Sequence, residues 1–131
     1  MIIKYIQSNC NATKKETDDL TITAAENALG LHFADEYRNV LREYGHLSFG
    51  SHDFNGISEF EIFDVVKQTL IFREKSNTIA DTMYVVEDLG IDGIYILQDS
   101  DGLVYAAQAK GTPYKVADSL LEYIKKAATN G

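Results

Sequence analysis

An α+β fold is what this sequence supports, built on an antiparallel meander with helices packed on one side. Three observations predict it. Three short segments rich in β-branched and aromatic residues stand at 83–86, 93–97 and 103–107. Only turn-length stretches separate them, Leu89–Gly93 and Asp99–Gly102, and such short spacings permit hairpins, not crossovers. Helical spacing is confined to the two flanks and one insertion, so helices and strands segregate.

The elements follow in order. Ile2, Ile3, Tyr5 and Ile6 have a helix-like spacing within 2–10. Residues 11–19 are polar and read as a loop. Thr23-Ala24-Ala25-Glu26 has the form of a capping box, which predicts a short helix over 24–29. Gly30 then ends it in the left-handed conformation. Tyr37, Val40, Leu41 and Tyr44 share one face of a helix over 35–44, with Asp35 and Glu36 in its first turn and Gly45 as its C′ residue. The punctuation of 46–60 by Gly50, Ser51, Asn55 and Gly56 predicts a hairpin or two short strands. Asp64 caps a helix that carries Val65, Val66, Thr69, Leu70 and Phe72. A loop over 74–81 leads into the three strands, and Gly111-Thr112-Pro113 makes a further turn. The closing helix, 118–128, places Leu120, Leu121, Tyr123, Ile124 and Ala127 at helical spacing behind Asp118 as its cap.

Bulk properties narrow the function. A length of 131 residues fits a single domain, 1–131, and 45% hydrophobic with 24% charged residues is ordinary globular usage. Cys10 is the one cysteine, so no internal disulfide forms and a reducing compartment is expected. The apolar start of the chain is too short for a signal sequence, and no apolar run approaches a bilayer span. A soluble, cytoplasmic protein is the expectation. The net charge is −8, and the stretch from Asp53 to Asp101 holds eleven acids against three bases, which accounts for all of it. So acidic a middle repels phosphate backbones and speaks against direct nucleic-acid binding. It would attract a basic protein partner, although on charge alone the simpler reading is that a negative surface only keeps the protein soluble.

The residues offer little chemistry. His32, His46 and His52 match no zinc spacing and read as surface histidines. Asp99-Ser100-Asp101-Gly102 opens like a calcium loop, but Lys110 stands where the twelfth-position glutamate belongs, so a hairpin turn is the reading. No phosphate-binding or nucleophile-elbow motif is present. Acid pairs such as Glu59/Glu61 and Asp99/Asp101 are unavoidable among twenty acids and identify no glycosidase. No catalytic residue, metal or cofactor is expected, and binding another protein is the remaining role. Eight tyrosines suit either an interface or a core, and most are assigned to helix faces and the sheet.

Several segments, in order, resemble one family. Thr21 to Arg38 joins a glutamate-bearing helix, Leu29-Gly30, and Phe33-Ala34-Asp35-Glu36-Tyr37 leading into a helix. Phe54-Asn55-Gly56-Ile57 follows, then Val65-Val66 with Thr69 and Arg73, then Val85 to Gly90 with Tyr95-Ile96-Leu97, and finally Ala117-Asp118-Ser119-Leu120 with Tyr123-Ile124. This order, over about 21–125, is similar to the SUKH superfamily, named also after the fungal Smi/Knr cell-wall regulators. The family's proline after the first helix is Ala34 here, and its glycine-rich turn is reduced to Gly45-His46-Leu47. The resemblance implies helices packed on an antiparallel sheet and a binding role. Bacterial members are mostly cytoplasmic immunity proteins (antitoxins) of polymorphic toxin systems, which neutralise a cognate toxin domain, often a nuclease. A regulatory scaffold of the Smi/Knr type is the alternative. Taken with the charge distribution, the expected binding patch comprises Asp53, Glu59, Glu61, Glu87, Asp88 and Asp92, with Phe54, Tyr84 and Tyr95 as aromatic anchors.

Overall fold

The turn-separated apolar segments pair with their neighbours. β4 (Tyr84–Asp88), β5 (Ile94–Gln98) and β6 (Val104–Gln108) form successive antiparallel hairpins, with Val85 opposite Leu97 and Ile96 opposite Ala106. A computed structural model describes residues 2–76 and 78–130. Within it β1 (Asn11–Lys14), β2 (Tyr44–Phe49) and β3 (His52–Phe54) extend this centre on one side, and β7 (Tyr114–Ala117) extends it on the other. The sheet runs β1 to β7 in chain order, every neighbouring pair antiparallel. Five helices accompany it among the described residues: α1 (Ile2–Asn9), α2 (Asp19–Leu29), α3 (Asp35–Glu43), α4 (Val65–Lys75) and α5 (Leu120–Asn130). The fold is α+β, as the segregated pattern requires.

Strand alternation divides the apolar residues between two faces. Tyr84, Val86, Ile96 and Val104 join Ile6 of α1, Ile22 of α2, Tyr37 and Leu41 of α3, and Ile124 of α5 in the main core. On the other face Val85, Leu97 and Ala107 pack with Phe72 of α4 and Met83. The expectation that the helices pack on one side of the sheet is thereby corrected: the apolar side chains of the central strands alternate, and α4 covers part of the second face. Phe72 also meets Tyr95 edge to face at 4.9 Å. Asp99 closes the β5–β6 turn: its carboxylate accepts from the N–H of Asp101 and of Leu103, both at 3.0 Å. The Asp99–Gly102 segment is thus a hairpin turn.

Three local expectations are corrected here, and one further strand appears. Residues 11–14 are an edge strand instead of loop, and 114–117 form a second edge strand. Both are short and mostly exposed, so neither carries the apolar alternation by which strands are read. Helix α2 starts at Asp19, because the Asp18 carboxylate caps it by accepting from the Thr21 N–H at 2.8 Å. Thr23 and Glu26 therefore lie inside the helix and form no capping box. Gly30 does end α2 in the left-handed region, at φ +68°. Gly45 does not end α3. Tyr44 turns directly into extended backbone, and Gly45 belongs to β2.

The stricter glycine is Gly56. A Cβ there would stand 2.5 Å from the carbonyl oxygen of Gly45. Its own N–H donates to the Phe63 carbonyl at 2.9 Å, and its carbonyl accepts from Val65 N–H at 2.8 Å. The backbone is thus held on both sides. Gly56→Ala is expected to destabilise the protein by about 2–3 kcal/mol, the cost of overpacking a site that cannot yield. Gly30→Val, with open space around its Cβ, should cost only the backbone term of about 1–2 kcal/mol. Denaturant midpoints for the two variants should fall in that order, and the reverse order would contradict the close approach at Gly56.

Candidate protein-binding surface

The acids expected to form one patch divide into two groups. Phe54 of β3 stands opposite Glu87 of β4. The next positions along, Asp53 and Asp88, therefore sit in neighbouring strands on the opposite sheet face, and both are exposed. Tyr95, half-buried, pairs across from Asp88. Asp92 is exposed in the β4–β5 turn beside Ile91, which is 66% exposed. Asp53, Asp88, Asp92 and Tyr95 are thus gathered at one end of β3. Glu59 and Glu61 are exposed beyond its other end, in the β3–α4 connection.

Three expected surface residues lie in the interior instead. Tyr84 and Phe54 are core residues. The Tyr84 hydroxyl accepts from Ala34 N–H at 3.0 Å and donates to the Gln98 side chain at 2.8 Å. Neither ring is placed to anchor a partner. Glu87 is only 1% exposed, because the register shift between Val85 and Glu87 turns its side chain inward. Its carboxylate meets His52 Nδ1 at 2.6 Å and accepts from the Tyr123 hydroxyl at 2.7 Å. His52 is correspondingly part-buried and stacked on Phe49, unlike the surface histidine expected. His32 is exposed as expected, and the His46 side chain lies outside the described residues.

Burial pushes the Glu87 carboxyl above the usual carboxylate range, with the Tyr123 hydroxyl and His52 opposing part of the shift. The folded state then binds this proton more tightly than the unfolded chain does. Stability falls as pH rises from the ordinary carboxylate range through the raised value. Glu87→Gln removes that titration, so its stability should vary less over this interval and match or exceed wild type at neutral pH. Glu87→Ala leaves Tyr123 and His52 without their buried partner and should cost about 1–3 kcal/mol. Urea melts across pH check both; a Glu87→Gln profile parallel to wild type would contradict the assignment.

The β3–α4 connection holds surface residues that pattern reading passed over. A 3-10 turn, Glu61–Phe63, follows Ser58, and within Glu59-Phe60-Glu61-Ile62 acids alternate with apolar residues. Phe60 is 64% and Ile62 67% exposed. Ile57, Phe60 and Phe63 line a groove of about 330 Å³, with Glu59 and Lys15 also on its wall. The sequence signal was present, two large apolar side chains between acids, but it lay outside any helix or strand period. Among the described residues, no group of three or more His, Cys, Asp or Glu side chains could hold a metal ion. Nor is any helix among them long and apolar enough to cross a membrane.

Comparison with known families fits this architecture. The SUKH_6 model, described as SMI1-KNR4 cell-wall, matches residues 19–124. The chain belongs to the SUKH superfamily. No curated protein matches the sequence. Membership supports a protein-binding role of the immunity or SMI1-KNR4 type for this SUKH domain.

The structure gives physical roles to the segments that carry the resemblance. Glu26 of α2, buried, accepts from Phe33 N–H at 2.8 Å and pairs with Arg38, which fixes the α2–α3 connection. Asn55 continues the edge of β4 where β3 stops: its N–H donates to Val86 O at 2.8 Å and its amide to Val85 O at 3.1 Å. The Tyr37 hydroxyl donates to Asn55 O at 2.5 Å. Glu36 caps α5 from α3, accepting from Leu120 N–H at 2.7 Å and Leu121 N–H at 3.0 Å. Ser119, not the expected Asp118, is the local cap: its Oγ accepts from Glu122 N–H at 3.0 Å, while the Asp118 carboxylate pairs with Lys115. In this SUKH domain the family motifs tie elements together; the exposed groups that differ from them, Phe60, Ile62, Glu59 and Glu61, are available for contact.

Proposed function

We propose that this SUKH domain is an immunity protein that binds a cognate toxin domain in the cytoplasm and neutralises it by occupancy, without turnover. Family membership over 19–124 is the observation that carries this reading. The charge supports it: a body of net −8 attracts a basic protein and accelerates encounter. A nuclease domain is the kind of toxin such a surface suits, because an acidic protein can cover the cleft that binds nucleic acid. The proposed mechanism needs no cofactor, metal or catalytic side chain.

The test is co-expression with the toxic protein domain captured with this chain from its native cell. Growth should be restored by the wild-type chain and equally by Cys10→Ala/His32→Ala, which removes a half-buried thiol at the edge of the core and an exposed imidazole. Loss of protection in that folded double variant would argue for a chemical role. The family's SMI1-KNR4 cell-wall description favours a second reading, a regulatory scaffold. Several non-toxic partners, in place of one toxic partner, would mark that case.

A further inference from the structure

Exposed apolar side chains are ordinary when scattered singly, but those of the β3–α4 connection are grouped and rigidly held. Ser58 N–H donates to Asp64 Oδ1 at 3.0 Å, and Phe60 N–H to Ser58 Oγ at 3.0 Å. Phe63 N–H donates to Phe60 O at 3.0 Å, and the Gln68 side chain to Glu61 O at 2.9 Å. With the Gly56–Phe63 bond, these contacts keep Phe60 and Ile62 turned outward in a fixed backbone. A surface already ordered loses little entropy when a partner docks.

We propose that this connection is the anchor of the interface, and that its occupant is a basic segment of the partner protein carrying an apolar side chain. The inference rests on the reading of this chain as a protein-binding module. The groove of about 330 Å³ accepts the apolar side chain between Ile57, Phe60 and Phe63. Glu59 and Glu61, the exposed chain neighbours of Phe60, meet its flanking Lys or Arg residues, Glu61 giving up its loose, exposed pairing with Lys67 at 4.0 Å. A second copy of the chain fits poorly, since it would bring two bodies of net −8 together. The acids at the other end of β3 add long-range attraction toward the same basic partner.

Site-specific photocrosslinking in the native cell tests this. The probe, p-benzoylphenylalanine, is placed in the full chain at Phe60 and, in separate variants, at three other exposed positions, Leu20, Ile91 and Tyr114. Position 60 should give an adduct with one different protein of net basic sequence. In extracts its yield should fall about tenfold or more between roughly 50 and 500 mM salt. The other three positions should give at most a small fraction of that adduct. An adduct from one of them and none from position 60 overturns this surface but keeps the protein-binding reading. No adduct from any position overturns both. A self-adduct, or an acidic or neutral partner at position 60, overturns the basic occupant.

Discussion

Replacing Glu26 with alanine should lower the unfolding free energy by about 3–4 kcal/mol, among the largest effects of any single substitution in this chain. Glu26 is 5% exposed, and its carboxylate joins Phe33 N–H to the Arg38 guanidinium across the α2–α3 connection. Its removal leaves a largely buried guanidinium whose other acidic neighbour, Asp19, is exposed and 3.7 Å away. It also strands a buried backbone donor. Glu26→Gln keeps an acceptor for Phe33 and should lose less. Replacing both members, Glu26→Leu with Arg38→Leu, should recover much of the loss, because the uncompensated charge is gone. Urea unfolding of the three variants checks the order; a double variant as weak as Glu26→Ala would contradict the charge argument.

A second large effect is expected at Glu36. This α3 carboxylate serves three donors on other elements: Leu120 N–H, Leu121 N–H and the Gln98 side chain, the last at 3.0 Å. The first two are orphan N–H groups of the first turn of α5, where the helix dipole also favours an anion. Gln98 is itself buried and bonded to the Tyr84 hydroxyl, so the network runs from α5 through the sheet to the loop before α3. Glu36→Ala should cost about 2–3 kcal/mol. Because α5 depends on that cap, its amides should lose hydrogen-exchange protection more than those of β5 and β6 do. Uniform loss across all elements would argue against a cap specific to α5.

Both residues show where sequence reading stopped. Glu26 fits a capping box on paper, but a box needs the helix to start at Thr23. Asp18 supplies an earlier cap, and Leu20, 82% exposed near that end, carries no packing signal to reveal it. Glu36 reads as an ordinary first-turn acid; that its partners are 84 and 85 residues away is a property of the tertiary fold. The central hairpins were legible because their apolar residues alternate between two packed faces and Gly-rich turns separate them. The edge strands were not, since backbone pairing with one neighbour needs no apolar side chain. Of the proposed binding surface, only the acids were legible. A bulge in β4 turned Glu87 from that surface into the core, and no local residue type announces it. Phe54 and Tyr84, expected as anchors, belong to strands whose apolar side chains are needed inside, whereas Tyr95 stays half-buried across from Asp88. The exposed Phe60 sits in a connection with no period to find.

The most direct test of the account is a titration, with the purified chain, of the toxin domain captured with it from the native cell, reading the toxin's residual activity against molar ratio. Neutralisation by occupancy predicts a linear fall that ends at one chain per toxin domain, with activity returning when the complex is dissociated. Complete loss of activity at a small fraction of one equivalent would mean that the chain works by turnover, and unchanged activity at several equivalents would mean that the chain does not neutralise this toxin; either would contradict the account.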